Sequence, residues 1–281
     1  MKRIVTIQDI SCVGKCSLTV ALPIISAMGV ETSVIPTAVL STHTAFSDFT
    51  FHDLTNEINP ITTLWKGQGI SFDAIYTGYL GSIEQINIMA KLFDDFKTES
   101  NIIVVDPAMA DNGELYKGFD QNFADKMSEL CSKADVIVPN LTEACYMLNI
   151  PYVGDKYSKE FIQDILIRLS KQGCKYCVLT GVSFDENSLG VMAYNSETNS
   201  FFEYYSEKLP KSFHGTGDVF ASTFTGALMQ NNISKEEALK IAVDYTVECI
   251  RVTLKNKDYH WYGVDFETAM PFLIDRIRDL K

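Results

Sequence analysis

The sequence has no run of about 18 or more consecutive apolar residues, the length a membrane-spanning helix needs, which excludes a helical span. Nor has it a block of clustered Lys and Arg interleaved with aromatics. With a net charge of −12, this argues against a nucleic-acid surface or an anionic membrane as partner. Acidity does not exclude a nucleotide. Backbone N–H groups at a helix start, a few Lys side chains and a metal ion hold phosphate locally whatever the global charge. The apolar run at the amino terminus stops at Asp9, short of the apolar core of an export signal. A cytosolic protein is expected.

Only one C-x-x-C pair is present, Cys174 and Cys177, and no second pair completes a zinc site. The seven cysteines are therefore read as reduced thiols serving mainly as small core residues. A Walker A loop is missing: Gly14-Lys15 is followed by Cys16, and no glycine stands five residues before Gly14. The dinucleotide fingerprint G-x-G-x-x-G does not follow the first apolar run either. Repeats, low-complexity tracts and Gly/Ser linkers are also missing, so residues 1–281 are read as a single domain.

What is present is an ordinary globular mix, 46% apolar and 21% charged, enough to bury a large core. Short β-rich runs, Arg3 to Gln8, Thr32 to Thr37, Ala74 to Thr77, Ile102 to Asp106, Val136 to Pro139 and Tyr176 to Thr180, alternate with segments of helical periodicity. That alternation predicts βαβ units and a mostly parallel sheet covered on both faces. Leu18, Leu22, Ile25 and Met28 share one helical face that ends at Gly29; Ile86, Met89, Leu92 and Phe93 share another. Past Thr180 the pattern becomes a hairpin, Leu189 to Tyr194 and Ser200 to Tyr205 around a polar turn, which predicts antiparallel strands at the sheet edge. Two long helices are expected after it. One starts after Gly217, and one starts near Ser234 with Glu237 placed as in a capping box.

The strongest chemical signal is His214-Gly215-Thr216-Gly217-Asp218, directly before the apolar stretch that opens at Val219. Glycines there let unpaired N–H groups converge at a helix start, where they stabilise developing negative charge. Asp218, in the first turn, is then placed to take a proton from a hydroxyl aimed at a γ-phosphate. By pattern alone it is equally a capping acid. Two further signals stand beside it. Asp106-Pro107 ends an apolar strand, and Asn140-Leu141-Thr142-Glu143 follows another; in open α/β sheets such strand ends face the ligand crevice. Asn140 and Glu143, three apart, share a helix face and suit Mg²⁺ through water and nucleotide phosphates, or simply cap a helix.

These residues resemble the ribokinase superfamily and, within it, the pyridoxal/pyridoxamine kinase family. The likeness rests on Ile7-Gln8, Leu40-Ser41-Thr42-His43-Thr44, Thr77-Gly78-Tyr79-Leu80-Gly81-Ser82, Asp106-Pro107-Ala108-Met109, Pro139-Asn140-Leu141-Thr142-Glu143 and Gly215-Thr216-Gly217-Asp218, in that order. The resemblance implies a ribokinase-like three-layer α/β sandwich with helices on both faces of a mostly parallel sheet with antiparallel edge strands. It implies ATP-dependent phosphorylation of the 5′-hydroxyl of a B6 vitamer, with Asp218 as base and Gly215, Thr216 and Gly217 as anion hole. Asp106, Asn140, Glu143 and Thr180 would face ATP phosphates, with Asp106 and Glu143 on Mg²⁺. Ala110 to Lys117 would form a lid carrying Asp111 and Tyr116. The ring-binding positions map to Asp9 and Ser11 after strand one, and to His43, Thr44 and Tyr79. Members of the family pair as homodimers and require Mg²⁺, often with K⁺.

One departure stands out. Asp9-Ile10-Ser11-Cys12 replaces the family's Ser-His pair, and a carboxylate at Asp9 is expected to pair with a pyridinium or aminomethyl cation and so to favour pyridoxamine. The lid segment Met109-Ala110-Asp111-Asn112-Gly113 has no cysteine, unlike some dual-specificity relatives. The alternatives are a hydroxymethylpyrimidine kinase, more distantly a sugar kinase, and a non-catalytic B6-binding protein of the same fold. An intact Gly-Thr-Gly-Asp and the retained Glu143 argue against the last.

Overall fold

The computed structural model describes residues 1–280. In chain order the first half runs β1 (Arg3–Val13), α1 (Leu18–Ala27), β2 (Glu31–Thr42), β3 (Phe51–Asp53), α2 (Thr55–Gly67), β4 (Ala74–Thr77), α3 (Ile83–Phe96), β5 (Ile102–Val105), β6 (Ala110–Asp111), β7 (Glu114–Leu115) and α4 (Gln121–Cys131). The second half runs β8 (Val136–Ile137), α5 (Leu141–Met147), α6 (Lys159–Lys171), β9 (Tyr176–Val182), β10 (Ser188–Asn195), β11 (Ser200–Glu207), α7 (Thr216–Leu228), α8 (Lys235–Lys255) and α9 (Phe266–Arg278). The fold is mixed α/β, its sheet mostly parallel with antiparallel edge strands. The residues divide into two compact units, 1–74 with 206–281, and 75–205. Among the described residues no helix is long and apolar enough to cross a membrane.

In the first unit β1 pairs in parallel with β2, and the short β3 pairs antiparallel with β2. Ile4, Val5 and Ile7 are all buried, the continuous apolar run of a strand covered on both faces. The strand continues past the predicted Gln8 to Val13. Its register slips at Asp9: Gln8 opposes Pro36 but Ile10 opposes Val39. Pro36 has no N–H to give to the ladder, and an irregularity beside such a residue re-aims the side chains around it.

Helices α1 and α7 set the geometry of this unit. The start of α7 abuts the start of α1: a Cβ on Gly215 would lie 1.9 Å from the Lys15 carbonyl oxygen. Further along both helices, a Cβ on Gly226 would lie 2.0 Å from Met28 Cε. The helices therefore run side by side in the same direction, with both amino termini at one end. On α1, Leu18 and Ile25 are buried as the spacing predicts, with Met28 at its C-cap, while Leu22 is 39% exposed. Gly29 (φ 81°) follows in the left-handed conformation expected after a helix end. Ser234 caps α8 by accepting from the Glu237 N–H at 3.1 Å, but the Glu237 carboxylate does not return the bond. It is drawn instead to Arg276, 2.9 Å away.

The second unit orders its strands β11-β10-β9-β8-β5-β4, with β5, β8 and β9 parallel and β10 antiparallel to β9, as the hairpin pattern predicts. Strand β8 is only Val136–Ile137, because Pro139 cannot donate to the ladder. Ile86, Met89, Leu92 and Phe93 form the buried face of α3. All seven cysteines are free, and Cys174 and Cys177 are buried in the core around β9.

Candidate active site

In the first unit the chain brings together Asp9, Ser11, His43 and Asp218, with three residues not singled out from the sequence, Lys15, Cys16 and Ser17. Helix α7 begins at Thr216, two residues earlier than the spacing suggests, with Gly215 (φ 80°, left-handed) as N-cap and Asp218 third in the first turn. Only glycine fits at 215, because of both that φ and the Lys15 carbonyl. Gly217 differs: nothing lies within 4 Å of where its Cβ would be. The chain thus leaves open space above Gly217. No side chain caps α7, so its first N–H groups have no partner within the helix. Thr216 Oγ1 donates to the Phe213 carbonyl at 3.1 Å and closes the turn.

Asp218 is half-buried. Loss of solvation pushes its carboxyl up to about 7, the Ser17 N–H works against that, and the negative charge of Asp9 adds to it. A carboxylate that titrates near neutrality is suited to take a proton from a hydroxyl. Asp9 is buried, and burial raises its carboxyl too, opposed by hydrogen bonds from Ser17 and Ser11. The Ser11 hydroxyl donates to Asp9 Oδ2 at 3.0 Å. Cys16 lies beside both acids, and burial with their charges drives its thiol far up, so it stays protonated.

Lys15 is not available to a phosphate. Its ammonium bonds Asp265 Oδ1 at 3.1 Å and Glu267 Oε2 at 2.7 Å, ahead of and at the start of α9. His43 is 2% exposed, and both ring nitrogens are committed to backbone. Nδ1 accepts the Ala45 N–H at 3.1 Å and Nε2 lies 3.0 Å from the Tyr262 carbonyl oxygen. A carbonyl only accepts and an N–H only donates, so the imidazole is neutral with its proton on Nε2, and burial lowers its pKa. What His43 offers a ligand is therefore a ring face. Its ring packs 4.3 Å from that of His214 and 5.0 Å from Phe46, which in turn packs 4.7 Å from Trp261. Thr44 beside it is exposed.

In the second unit Asp106, Asn140, Glu143 and Thr180 gather at the carboxyl ends of β5, β8 and β9. The Asp106 N–H bonds the Thr77 carbonyl at 2.9 Å, one step past β5, and Asn140 bridges to Thr180 in parallel pairing. Asn140 and Glu143 form a complete capping box on α5: Asn140 Oδ1 accepts the Glu143 N–H at 2.9 Å, and Glu143 Oε2 accepts the Asn140 N–H at 2.8 Å. Both side chains also hold the segment expected to form a lid. Asn140 Nδ2 donates to the Ala110 carbonyl at 2.8 Å, and Met109 N–H donates to Glu143 Oε1 at 3.1 Å. That segment is the small hairpin β6–β7, with Asp111 and Tyr116 exposed, and the Gly113 N–H at its tip donates to Thr142 Oγ1 at 3.0 Å. Tyr79 is half-buried and stacks on Phe119 at 5.7 Å.

Burial raises the Glu143 carboxyl well above its ordinary value, and the nearby charge of Asp106 raises it further. Two acids that repel one another suit a divalent cation. Among the described residues no group of three or more His, Cys, Asp or Glu stands together as a metal site. Mg²⁺ needs no such cage, since it keeps several waters and takes one or two carboxylates together with phosphate oxygens. Asp106 and Glu143 fit that demand.

The residues missed from the sequence share one trait, that their partners are remote or backbone. Lys15 looked like half of an absent Walker loop, and its carboxylate partners lie some 250 residues on. Ser17 (φ 50°) carries no sequence signal for its left-handed backbone.

The phosphomethylpyrimidine kinase family model matches residues 22–262. A Bacteroides thetaiotaomicron protein assigned as a phosphomethylpyrimidine kinase, whose structure contains pyridoxal, is 40% identical with TM-score 0.91, over 97% of this chain and 95% of that one. The pyridoxal kinase of Lactobacillus plantarum is 28% identical with TM-score 0.88, over 98% and 97% of the two chains. Pyridoxine kinase of Bacillus subtilis is 26% identical over 68% of each chain. The chain belongs to the phosphomethylpyrimidine kinase family and shares its fold with pyridoxal kinases.

Proposed function

We propose that this chain transfers the γ-phosphoryl group of ATP to the 5′-hydroxymethyl group of a B6 vitamer. The observation that carries the reading is Asp218, an acid in the first turn of an uncapped helix whose carboxyl is pushed up to about 7. At neutral pH about half of it is ionised, so it can accept the hydroxyl proton as the oxygen attacks, and hold it afterwards. The unpaired N–H groups at the start of α7, above which Gly217 leaves open space, receive the charge that builds on the transferring phosphoryl. Asp106 and Glu143 would hold Mg²⁺, which would supply positive charge to offset that of the phosphates. Asn140, Thr180, Asp111 and Tyr116 would bind and enclose the nucleotide. The ring faces of His43 and Tyr79 would stack a flat heterocycle, and Asp9, Ser11 and Thr44 would meet its substituents. The 40% identical Bacteroides structure with pyridoxal supports this choice of ligand.

The family description favours a second substrate for the same chemistry, a hydroxymethylpyrimidine. Both are flat heteroaromatic alcohols. The reading takes residues 1–281 as one kinase domain, working in the cytosol as a homodimer that needs Mg²⁺ and is stimulated by K⁺. A panel assay with Mg-ATP and K⁺ tests it, scoring kcat/KM for pyridoxal, pyridoxamine, pyridoxine and hydroxymethylpyrimidine. The reading expects the highest value for a B6 vitamer. A higher value for the pyrimidine overturns the substrate, and no turnover of any alcohol overturns the kinase.

A further inference from the structure

Lys15 stands in the turn between β1 and α1, and its side chain is spent far away. The ammonium bonds Asp265 Oδ1 at 3.1 Å and Glu267 Oε2 at 2.7 Å, partners 250 and 252 residues on. The Lys15 and Asp265 side chains are only 15% and 13% exposed, so salt screens their attraction less than that of a surface pair. The stem is enclosed as well: a Cβ on Gly263 would lie 2.4 Å from Lys15 Cβ, and the ammonium sits 5.7 Å from the centre of the Phe266 ring. Asp265 is itself fixed at the end of α8. Its Oδ2 accepts Asn256 Nδ2 at 3.0 Å and its N–H donates to Thr253 Oγ1 at 2.7 Å.

The same turn touches the site at three points. The Lys15 carbonyl oxygen would lie 1.9 Å from a Cβ on Gly215, the N-cap of α7. One residue earlier, a Cβ on Gly14 would lie 2.7 Å from His43 Cδ2. Two residues on, Ser17 stands at φ 50°, ψ −135° without a side-chain cap bond, a conformation that a residue with a Cβ keeps only where its surroundings impose it. Thr19 Oγ1 closes the turn from inside by bonding the Cys16 carbonyl at 2.8 Å, and Lys15 anchors it from outside.

We propose that Lys15 is a positioning residue for phosphoryl transfer: its tether to Asp265 and Glu267 seats the turn of residues 14–17 between His43 and Gly215, and so fixes the ring site and the anion hole relative to each other. The inference rests on the kinase reading for what that placement serves, though not for the contacts themselves. Stabilisation by backbone N–H groups depends on where they point, and a displacement of about 1 Å costs up to ~10²-fold in rate. A lysine beside a glycine just after the first strand would otherwise be read as a phosphate ligand. The two roles differ in kinetics. A phosphate ligand binds ATP in the ground state, so its loss raises KM for ATP, whereas a tether that holds the reacting groups in place acts on kcat.

The test uses three variants of the full chain. Lys15→Met keeps the stem and drops the charge, Lys15→Arg keeps the charge, and the double variant Asp265→Asn, Glu267→Gln cuts the tether at its far end, which keeps the question open to test even where Lys15→Met folds poorly. Steady-state kinetics with pyridoxal and Mg-ATP, well below the melting temperature of each variant, should show kcat lowered about tenfold in Lys15→Met and in the double variant, with KM for ATP within about twofold of wild type. Lys15→Arg should recover most of the loss, and Lys15→Met added to the double variant should cost nothing more. Amide proton–nitrogen spectra of the chain without ligand should show the Gly215 resonance displaced in Lys15→Met and in the double variant, and near its wild-type place in Lys15→Arg. An unchanged kcat in the folded variants, a raised KM for ATP with kcat retained, or an unmoved Gly215 amide would each overturn the inference. Absence of turnover of any alcohol by the wild-type chain would instead sink the kinase reading, and the Gly215 amide would still decide whether Lys15 seats the turn.

Discussion

Asp218 of α7 and Glu143 of α5 occupy the same slot, third in the first turn of a helix, with opposite partners. Glu143 is 3% exposed and accepts backbone N–H groups at both oxygens, from Asn140 and Met109, with an Asn at the N-cap that returns the bond. Asp218 is half-buried, and its N-cap is a glycine with no side chain to return a bond. What differs is the source of the donors. Glu143 is fixed by the backbone of its own helix and of residue 109 while it stands beside Asp106, whereas Asp218 takes no donor from its own N-cap and stands beside Asp9 with its carboxyl at about 7.

Asp218→Asn breaks the comparison most strongly. It should lower kcat by about 10³-fold or more with ATP affinity retained, which steady-state kinetics and nucleotide titration will show. The same change should stabilise the fold. The folded carboxyl titrates at about 7 against 3.8 when unfolded, so the native state holds a proton that the unfolded chain has released between those values. That gain is full below pH ~4 and is lost as pH rises through ~7. Denaturant titrations should therefore find Asp218→Asn more stable than wild type by about 1–3 kcal/mol at pH 8, and nearly equal at pH 4. Glu143→Ala should instead cost about 1–3 kcal/mol at pH 7, because it leaves the Asn140 and Met109 N–H groups without their acceptor. Protease sensitivity within residues 109–117 should rise with it.

The two glycines ahead of Asp218 sharpen the contrast. Gly215→Ala meets the Lys15 carbonyl and a left-handed φ, and should lower the melting temperature by several degrees. Gly217→Ala meets nothing in the chain, so it should melt as wild type while losing about tenfold or more in kcat, if that space receives the phosphoryl group. Smallest of all is Asp9→Asn, expected to lower kcat/KM for pyridoxamine several-fold more than for pyridoxal. Equal losses would remove any direct pairing of Asp9 with a substrate cation and leave its action through Asp218.

Legibility in the sequence followed the range of the interaction. The strand runs, the β10–β11 hairpin and, to within two residues, the start of α7 depend on neighbours along the chain, and their patterns stand in the sequence. Asn140 and Glu143 were read as a ligand pair or as helix caps, because an i, i+3 acid and amide serve equally as ligands and as a capping box, and spacing cannot separate the two. Ser234 and Glu237 were read as the box. There the glutamate is taken by Arg276, from another helix, which no local pattern encodes. His43 was read as a ring-binding position, and what the sequence does not show is that Ala45 and Tyr262 hold both its nitrogens, the second partner 219 residues away. Ser17 and Lys15 were silent for the same reason, since contacts across the fold impose their backbone and their partners.

The most direct measurement is the pH dependence of ATP-dependent phosphorylation of pyridoxal by the wild-type chain and by Asp218→Asn, from pH 5.5 to 8.5. The account predicts a wild-type kcat/KM that falls below an apparent pKa near 7, and a variant reduced about 10³-fold that has lost this limb. A variant within tenfold of wild type, or one that keeps the same limb, would contradict it.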